Sequence, residues 1–303
     1  MQADTSRTAA RLFIVAALFI SQAGAVLAAG DTPKVDAPAP QVLIDNNKVL
    51  VSLVTLKRGD ERLQKTTHQA DELIVYLDDG AYERLAKDAT GLGNSAAPPA
   101  AACTAGTADC GPIRPDGTPA KNEGEITRGS VEWHPKGSES EPLRVTKGFR
   151  EVIIEMKHGT MTGPDPAAAK LPREPVVGGG APMRALIDNA MVRTNLVSFP
   201  SDFIRAGGYR RRLDTVMVYV DDAELKDVGP SQKDYAVVQS FEHHPDAQAD
   251  CPPIKDCDSV APDGKWANGP IRSGTVAWHQ QDGYVERVQI GKAYRVFYIE
   301  LKQ

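Results

Sequence analysis

The chain has 303 residues and a formal net charge of −5, with acidic and basic side chains spread along its length. That balance argues against a nucleic-acid-binding protein, which needs a clustered basic surface. Aromatic residues make up only 6% and Gly and Pro together 48 positions, a composition that favours many turns between short strands over long helices.

In chain order, Arg7 and Arg11 precede an apolar run at 12–20, and small residues follow through Ala28-Ala29. This basic, apolar, small-residue order reads as a secretory signal peptide over 1–29, followed by an N-terminal extension over 30–42. The apolar run is shorter than the about 20 residues a membrane span requires. The expectation is therefore a chain in the periplasm or secreted, with no membrane span once the signal is removed.

From residue 43 the sequence is written twice. "LIDNNKVLVSLVTL" at 43–56 faces "LIDNAMVRTNLVSF" at 186–199, and "DELIVYLDD" at 71–79 faces "DTVMVYVDD" at 214–222. "PDG" recurs at 115–117 and 262–264, "GSVEWH" at 129–134 recurs as "GTVAWH" at 274–279, and "FREVIIEMK" at 149–157 faces "YRVFYIELK" at 294–302. Five matches in one order define two domains, 43–157 and 184–303. Between them, 158–183 is rich in Pro and Gly without apolar periodicity and reads as a linker.

Four cysteines form two close pairs, Cys103 with Cys110 and Cys251 with Cys257, in a chain expected to meet an oxidising compartment. Four cysteines allow three connectivities. Local bridges are the expected one, each contributing about 2–3 kcal/mol in the loop-entropy account. The rival is a zinc site with His243 and His244, for which the cysteine spacing is loose.

Within each copy the apolar period is two. "VLVSLVTL" (49–56), "ELIVYL" (72–77), "SVEW" (130–133) and "VIIEMK" (152–157) read as short strands, and only "AYERLAKDA" (81–89) leans towards helix. An all-β sandwich or closed barrel follows, because an antiparallel sheet of this size has edges to cover. By strand alternation Glu132 and His134 point away from the face of Val131 and Trp133. If Trp133 packs inside, His134 is then a strand-end or surface residue. The recurring Arg150, Glu155 and Lys157, and their partners Arg295, Glu300 and Lys302, read as outer surface pairs of little individual worth. No hydrolase, zincin or phosphate-loop motif occurs.

The succession of "DELIVYL", "GSVEWHPKG" and "REVIIEMK" resembles the cupin superfamily, and the duplication resembles a bicupin. The resemblance implies two jelly-roll β-barrels. It also implies pairing through sheets into a homodimer, and a divalent metal held by three His and one Glu. In the first copy, Thr66-x-His68 falls on the family's H-x-H, Glu72 on its Glu, Gly129 and Pro135-x-Gly137 on the second motif, and Ser140 and Arg144 on its His and Asn. The second copy has Tyr209-x-Arg211 for H-x-H, Thr215 for Glu and Val285 for the last His. His68 and Glu72 alone are an incomplete metal set, since two ligands leave an ion mostly hydrated. Arg211 offers a planar donor fork to an anion.

The resulting expectation is a non-catalytic protein that binds a small polar or anionic ligand, or an interaction protein, without a cofactor. The ligand candidates are His68, Glu72, Tyr209 and Arg211. The alternative is a metal-dependent isomerase, dioxygenase or decarboxylase that uses His68 and Glu72 with a divalent metal in the first domain. Mass spectrometry of non-reduced peptides should find Cys103 joined to Cys110 and Cys251 to Cys257; free thiols at all four positions would refute the pairing.

Overall fold

The computed structural model describes residues 39–63, 65–85, 111–120, 124–157, 181–205, 212–227, 259–260, 262–263, 271–281 and 288–302. The expected signal segment, the four cysteines, Tyr209, Arg211 and Val285 lie outside these residues. So does the expected linker apart from 181–183, of which Met183 already belongs to a strand.

The first half runs β1 (Gln41–Asp45), β2 (Val49–Leu56), β3 (Glu61–Arg62), β4 (Thr66–Thr67), β5 (Asp71–Tyr76), β6 (Gly80–Arg84), β7 (Glu125–Ile126), β8 (Val131–His134), β9 (Glu139–Ser140), β10 (Leu143–Lys147) and β11 (Phe149–Met156). One sheet has the order β1-β2-β11-β5-β8, and the facing sheet β3-β10-β6-β7. Leaving aside β1, β4 and β9, the first strand pairs with the last and the second with the last but one, which is the winding of a jelly roll.

The second half repeats it with β12 (Met183–Asp188), β13 (Val192–Phe199), β14 (Ile204–Arg205), β15 (Thr215–Tyr219), β16 (Glu224–Asp227), β17 (Ser259–Val260), β18 (Val276–His279), β19 (Val288–Lys292) and β20 (Tyr294–Leu301). Its sheets are β12-β13-β20-β15-β18-β17 and β14-β19-β16. The protein is all-β among the described residues, as its composition and periodicity imply, and every strand pairing there stays within one half. The helical leaning of 81–89 is overruled as far as Arg84, because β6 finds ladder partners in β10 and β7. No described helix is long and apolar enough to cross a membrane.

The two halves share one core. Val49, Val51, Leu73, Val75, Val131, Val152 and Ile154 of the first large sheet pack with Val192, Leu196, Val216, Val218, Phe297 and Ile299 of the second, and Trp133 and Trp278 pack against this cluster. Burying an aliphatic side chain contributes about 1.5–3 kcal/mol, so this seam is a principal apolar contribution to stability. Val35–Gln303 is accordingly one compact unit.

The Trp-His strands begin at the seam. Gly129 and Gly274 both have positive φ, 83° and 90°. A Cβ on Gly129 would lie 3.7 Å from Val220 of the other half, and one on Gly274 would lie 3.0 Å from Leu77. Arg150 grips Asp78 (2.8 and 2.9 Å) and reaches the carbonyl of Ser273 across the seam (3.4 Å). Arg295 grips Asp221 in the same way (2.8 and 3.0 Å). These arginines therefore sit beside the seam, and the reading of them as outer surface pairs is corrected.

Gly274→Ala is expected to cost roughly 2–3 kcal/mol, from left-handed strain plus the clash with Leu77. Gly59→Ala, at φ 94° with nothing near its Cβ, should cost only about 1–2 kcal/mol. Urea midpoints of the two variants check the difference.

Candidate functional site

Because the odd-numbered residues of β5 and β8 face the seam, the even-numbered ones face into the first barrel. Register then fixes three rows. Glu155, Glu72 and His134 lie side by side across β11, β5 and β8; Ile153, Ile74 and Glu132 form the next row; Glu151 lies beside Tyr76. The face of Trp133 is thus the seam and that of His134 the barrel interior, so His134 is corrected from a surface position to a half-buried one inside the barrel.

His68 joins this face from the turn after β4. Its N–H donates to Ser138 O and its carbonyl accepts from Gly137 N, each at 2.9 Å. The Pro135-x-Gly137 turn, closed by Ser138 N to Pro135 O at 3.0 Å, thereby holds the His68 backbone. Gly137 takes φ 85° there, which glycine adopts without strain.

The His68 ring is 8% exposed and stacks on His134 with centroids 4.5 Å apart and planes 14° from parallel. Glu72 Oε2 lies 2.9 Å from His68 Nδ1, which fixes a proton there, and Nε2 lies 2.6 Å from Ser140 Oγ. Ser140, the position on which the resemblance places a missing ligand, therefore does meet His68. Tyr76 donates its hydroxyl to Glu132 Oε2 at 2.6 Å, and Glu132 Oε1 lies 3.5 Å from His134 Nε2.

Burial, with Glu132 and Glu151 next, holds the Tyr76 hydroxyl well above the ordinary phenol range. Burial likewise lowers His134, helped by the charges of His68 and Arg62 and opposed by Glu132 and Glu72. Glu155 is raised by burial first and by Glu72, against Lys157 and His68. Glu151 is 5% exposed, and burial pushes it to about 7, Arg62 opposing and Glu132 and Glu72 adding to the rise. Strand alternation in "REVIIEMK" could have found the Glu151 and Glu155 pair, because they share a face with Ile153 while Val152, Ile154 and Met156 form an apolar run on the other.

In the second barrel the row corresponding to Glu155, Glu72 and His134 is Glu300, Thr215 and His279, continued by Arg193 where the first copy has Leu50. Arg193 Nη1 donates to Glu300 Oε2 at 3.2 Å with both side chains buried, and Lys302 pairs with Asp188. Glu300 and Lys302 are each 4% exposed, which corrects the reading of them as surface residues. Phe199 and Tyr219 lie against the Tyr294 ring at centroid distances of 5.2 and 5.6 Å, tilted by 34° and 33°. Each interior has an apolar cluster of its own, Val54, Leu56, Ile74, Tyr76 and Phe149 in the first and Val197, Phe199, Met217, Tyr219 and Tyr294 in the second, and the first adds to it a set of acids and imidazoles.

The first barrel does not fit a metal as arranged. Both ring nitrogens of His68 are engaged, one by Glu72 itself, and among the described residues no three His, Cys, Asp or Glu side chains converge on a common point.

No family model matches the chain, and no curated protein matches it in sequence. Among solved structures it is similar to a cupin 2 conserved barrel domain protein from Leptotrichia buccalis, at 9% identity and TM-score 0.43, covering 90% of this chain and 92% of that one. It is also similar to a cupin domain from Bordetella pertussis, at 20% identity and TM-score 0.25, covering 40% and 95%. A third is oxalate decarboxylase from Bacillus subtilis, at 10% identity and TM-score 0.41, covering 84% and 69%.

Glu151 predicts a pH signature. Its folded value near 7 exceeds the ordinary 4.5, so the folded state holds the proton more tightly. Stability is therefore full below about 4.5, falls as pH rises through about 7, and is constant above. Glu151→Gln should remove this loss and exceed the parent by on the order of 3 kcal/mol at pH 8, with little difference at pH 4.5. Urea unfolding of both proteins at the two pH values measures it.

Proposed function

We propose that this is an exported, cupin-like protein of two jelly rolls, without catalytic activity, whose first barrel binds a small polar molecule beside His68, Glu72 and His134. The second barrel is a buttress whose interior has been given over to packing. The observation that carries this reading is the divergence of one register row between the copies. Arg193 and Glu300 neutralise each other in the second barrel, whereas Glu155, Glu72 and His134 in the first leave acceptors directed inward. A polar interior with hydrogen-bonding groups held on a rigid sheet suits a small ligand better than it suits packing alone.

Exchange of one buried row for another leaves the seam untouched, so one copy can bind while the other stabilises. Export is supported by the N-terminal residue order and by the paired cysteines.

The test is thermal unfolding of the mature chain with a panel of small amines, carboxylates, amides and polyols. A ligand present at about a hundred times its dissociation constant should raise the midpoint by roughly 5–10 °C. His68→Ala and Glu72→Gln should abolish the rise. If no compound raises the midpoint, or the variants keep the full effect, the reading fails. One tightly bound metal ion per purified chain, lost in His68→Ala, would overturn it in favour of metal-dependent chemistry.

A further inference from the structure

We propose that the ligand of the first barrel carries a compact ammonium group, and that Glu151 is the carboxylate that receives it. This rests on reading that barrel as a binding site. Glu151 is 5% exposed, and no described residue makes a hydrogen bond or ion pair with it. Its acidic neighbours are engaged elsewhere, Glu72 by His68 and Glu132 by the Tyr76 hydroxyl. Arg62, half-buried on β3, reaches Glu151 only through its field. A buried carboxylate without a donor is costly, and it must either hold a proton or meet a donor brought by something else.

The charge around it selects the donor. Glu72 from β5, Glu132 from β8, and Glu151 with Glu155 from β11 share one sheet face, against Arg62 and imidazoles of which His134 is held towards its neutral form by burial. An anion entering here meets net repulsion, and an ammonium meets attraction that low-dielectric surroundings strengthen. Ile74 and Ile153 lie between the Glu72 and Glu151 rows, and the Tyr76 ring, 5.8 Å from that of Phe149, stands beside Glu151. These groups belong to the first barrel's apolar cluster and supply an apolar wall for an alkyl chain.

Proton exchange is the signature. The groups whose charge or register reaches Glu151 are Glu72 and Tyr76 on β5, Glu132 on β8 and Arg62 on β3, with His68 and His134 beside Glu72 and Glu132 and Tyr82 on β6 acting on Tyr76. Bound ammonium displaces the Glu151 proton, so affinity rises with pH until that proton is gone. Calorimetric titration of the mature chain with n-butylammonium, butyramide and butyrate at pH 6 and pH 8 tests this.

Butylammonium is expected to bind, about tenfold tighter at pH 8 than at pH 6, and butyrate not at all. Glu151→Gln should weaken the pH 8 binding at least tenfold and erase the pH difference while unfolding no lower than the parent, and Arg62→Gln should tighten it. Equal binding of butyramide or butyrate overturns the inference, as does parental affinity and pH dependence in Glu151→Gln. If other panel compounds bind at His68 and butylammonium does not, only this inference falls. If nothing binds, the binding-site reading falls with it.

Discussion

The apolar seam between the two large sheets is the constraint from which the rest of the structure follows. Each sheet has two faces, and the larger, drier one is turned to the other half. Once Val131 and Trp133 are committed there, strand alternation leaves Glu132 and His134 no choice but the barrel interior. Rows of acidic side chains that would otherwise meet water are thereby directed inward. The glycines that open both Trp-His strands and the arginines that grip Asp78 and Asp221 maintain the same contact from its edge.

Because the seam contributes so much of the stability, the two interiors could diverge. The first retains a stacked histidine pair, four carboxylates and a tyrosine, with Glu151 given no donor by any described residue. Among the described residues, the second closes the equivalent row with a buried Arg193–Glu300 pair beside a cluster of aliphatic and aromatic side chains. Buried ion pairs of this kind are weak sources of stability but strongly penalise loss of either partner, so the second interior is poorly suited to remodelling around a ligand.

Much of the fold was legible in the sequence because it is carried by local period and by repetition. The strands at 49–56, 71–76 and 149–156, the glycine start of the Trp-His strands and the correspondence of the halves all follow from alternation and turn residues. His68 and Glu72 were found because they lie four residues apart in a recognisable stretch. Their neighbours were not, since His134, Glu132, Glu151 and Tyr76 come from strands up to 83 positions away from His68 and meet it only through ladder register.

By itself, the sequence determined that the chain is all-β, duplicated, and built of short strands whose side chains alternate between two faces. Alternation says which residues share a face; it is silent on whether that face meets a second sheet, a barrel interior or water. That decision belonged to the tertiary structure, which buries one apolar face of each large sheet against the other and so removes both from water. It reversed the reading of His134, Glu155 and Glu300 together, because residues on one strand face must move as a set.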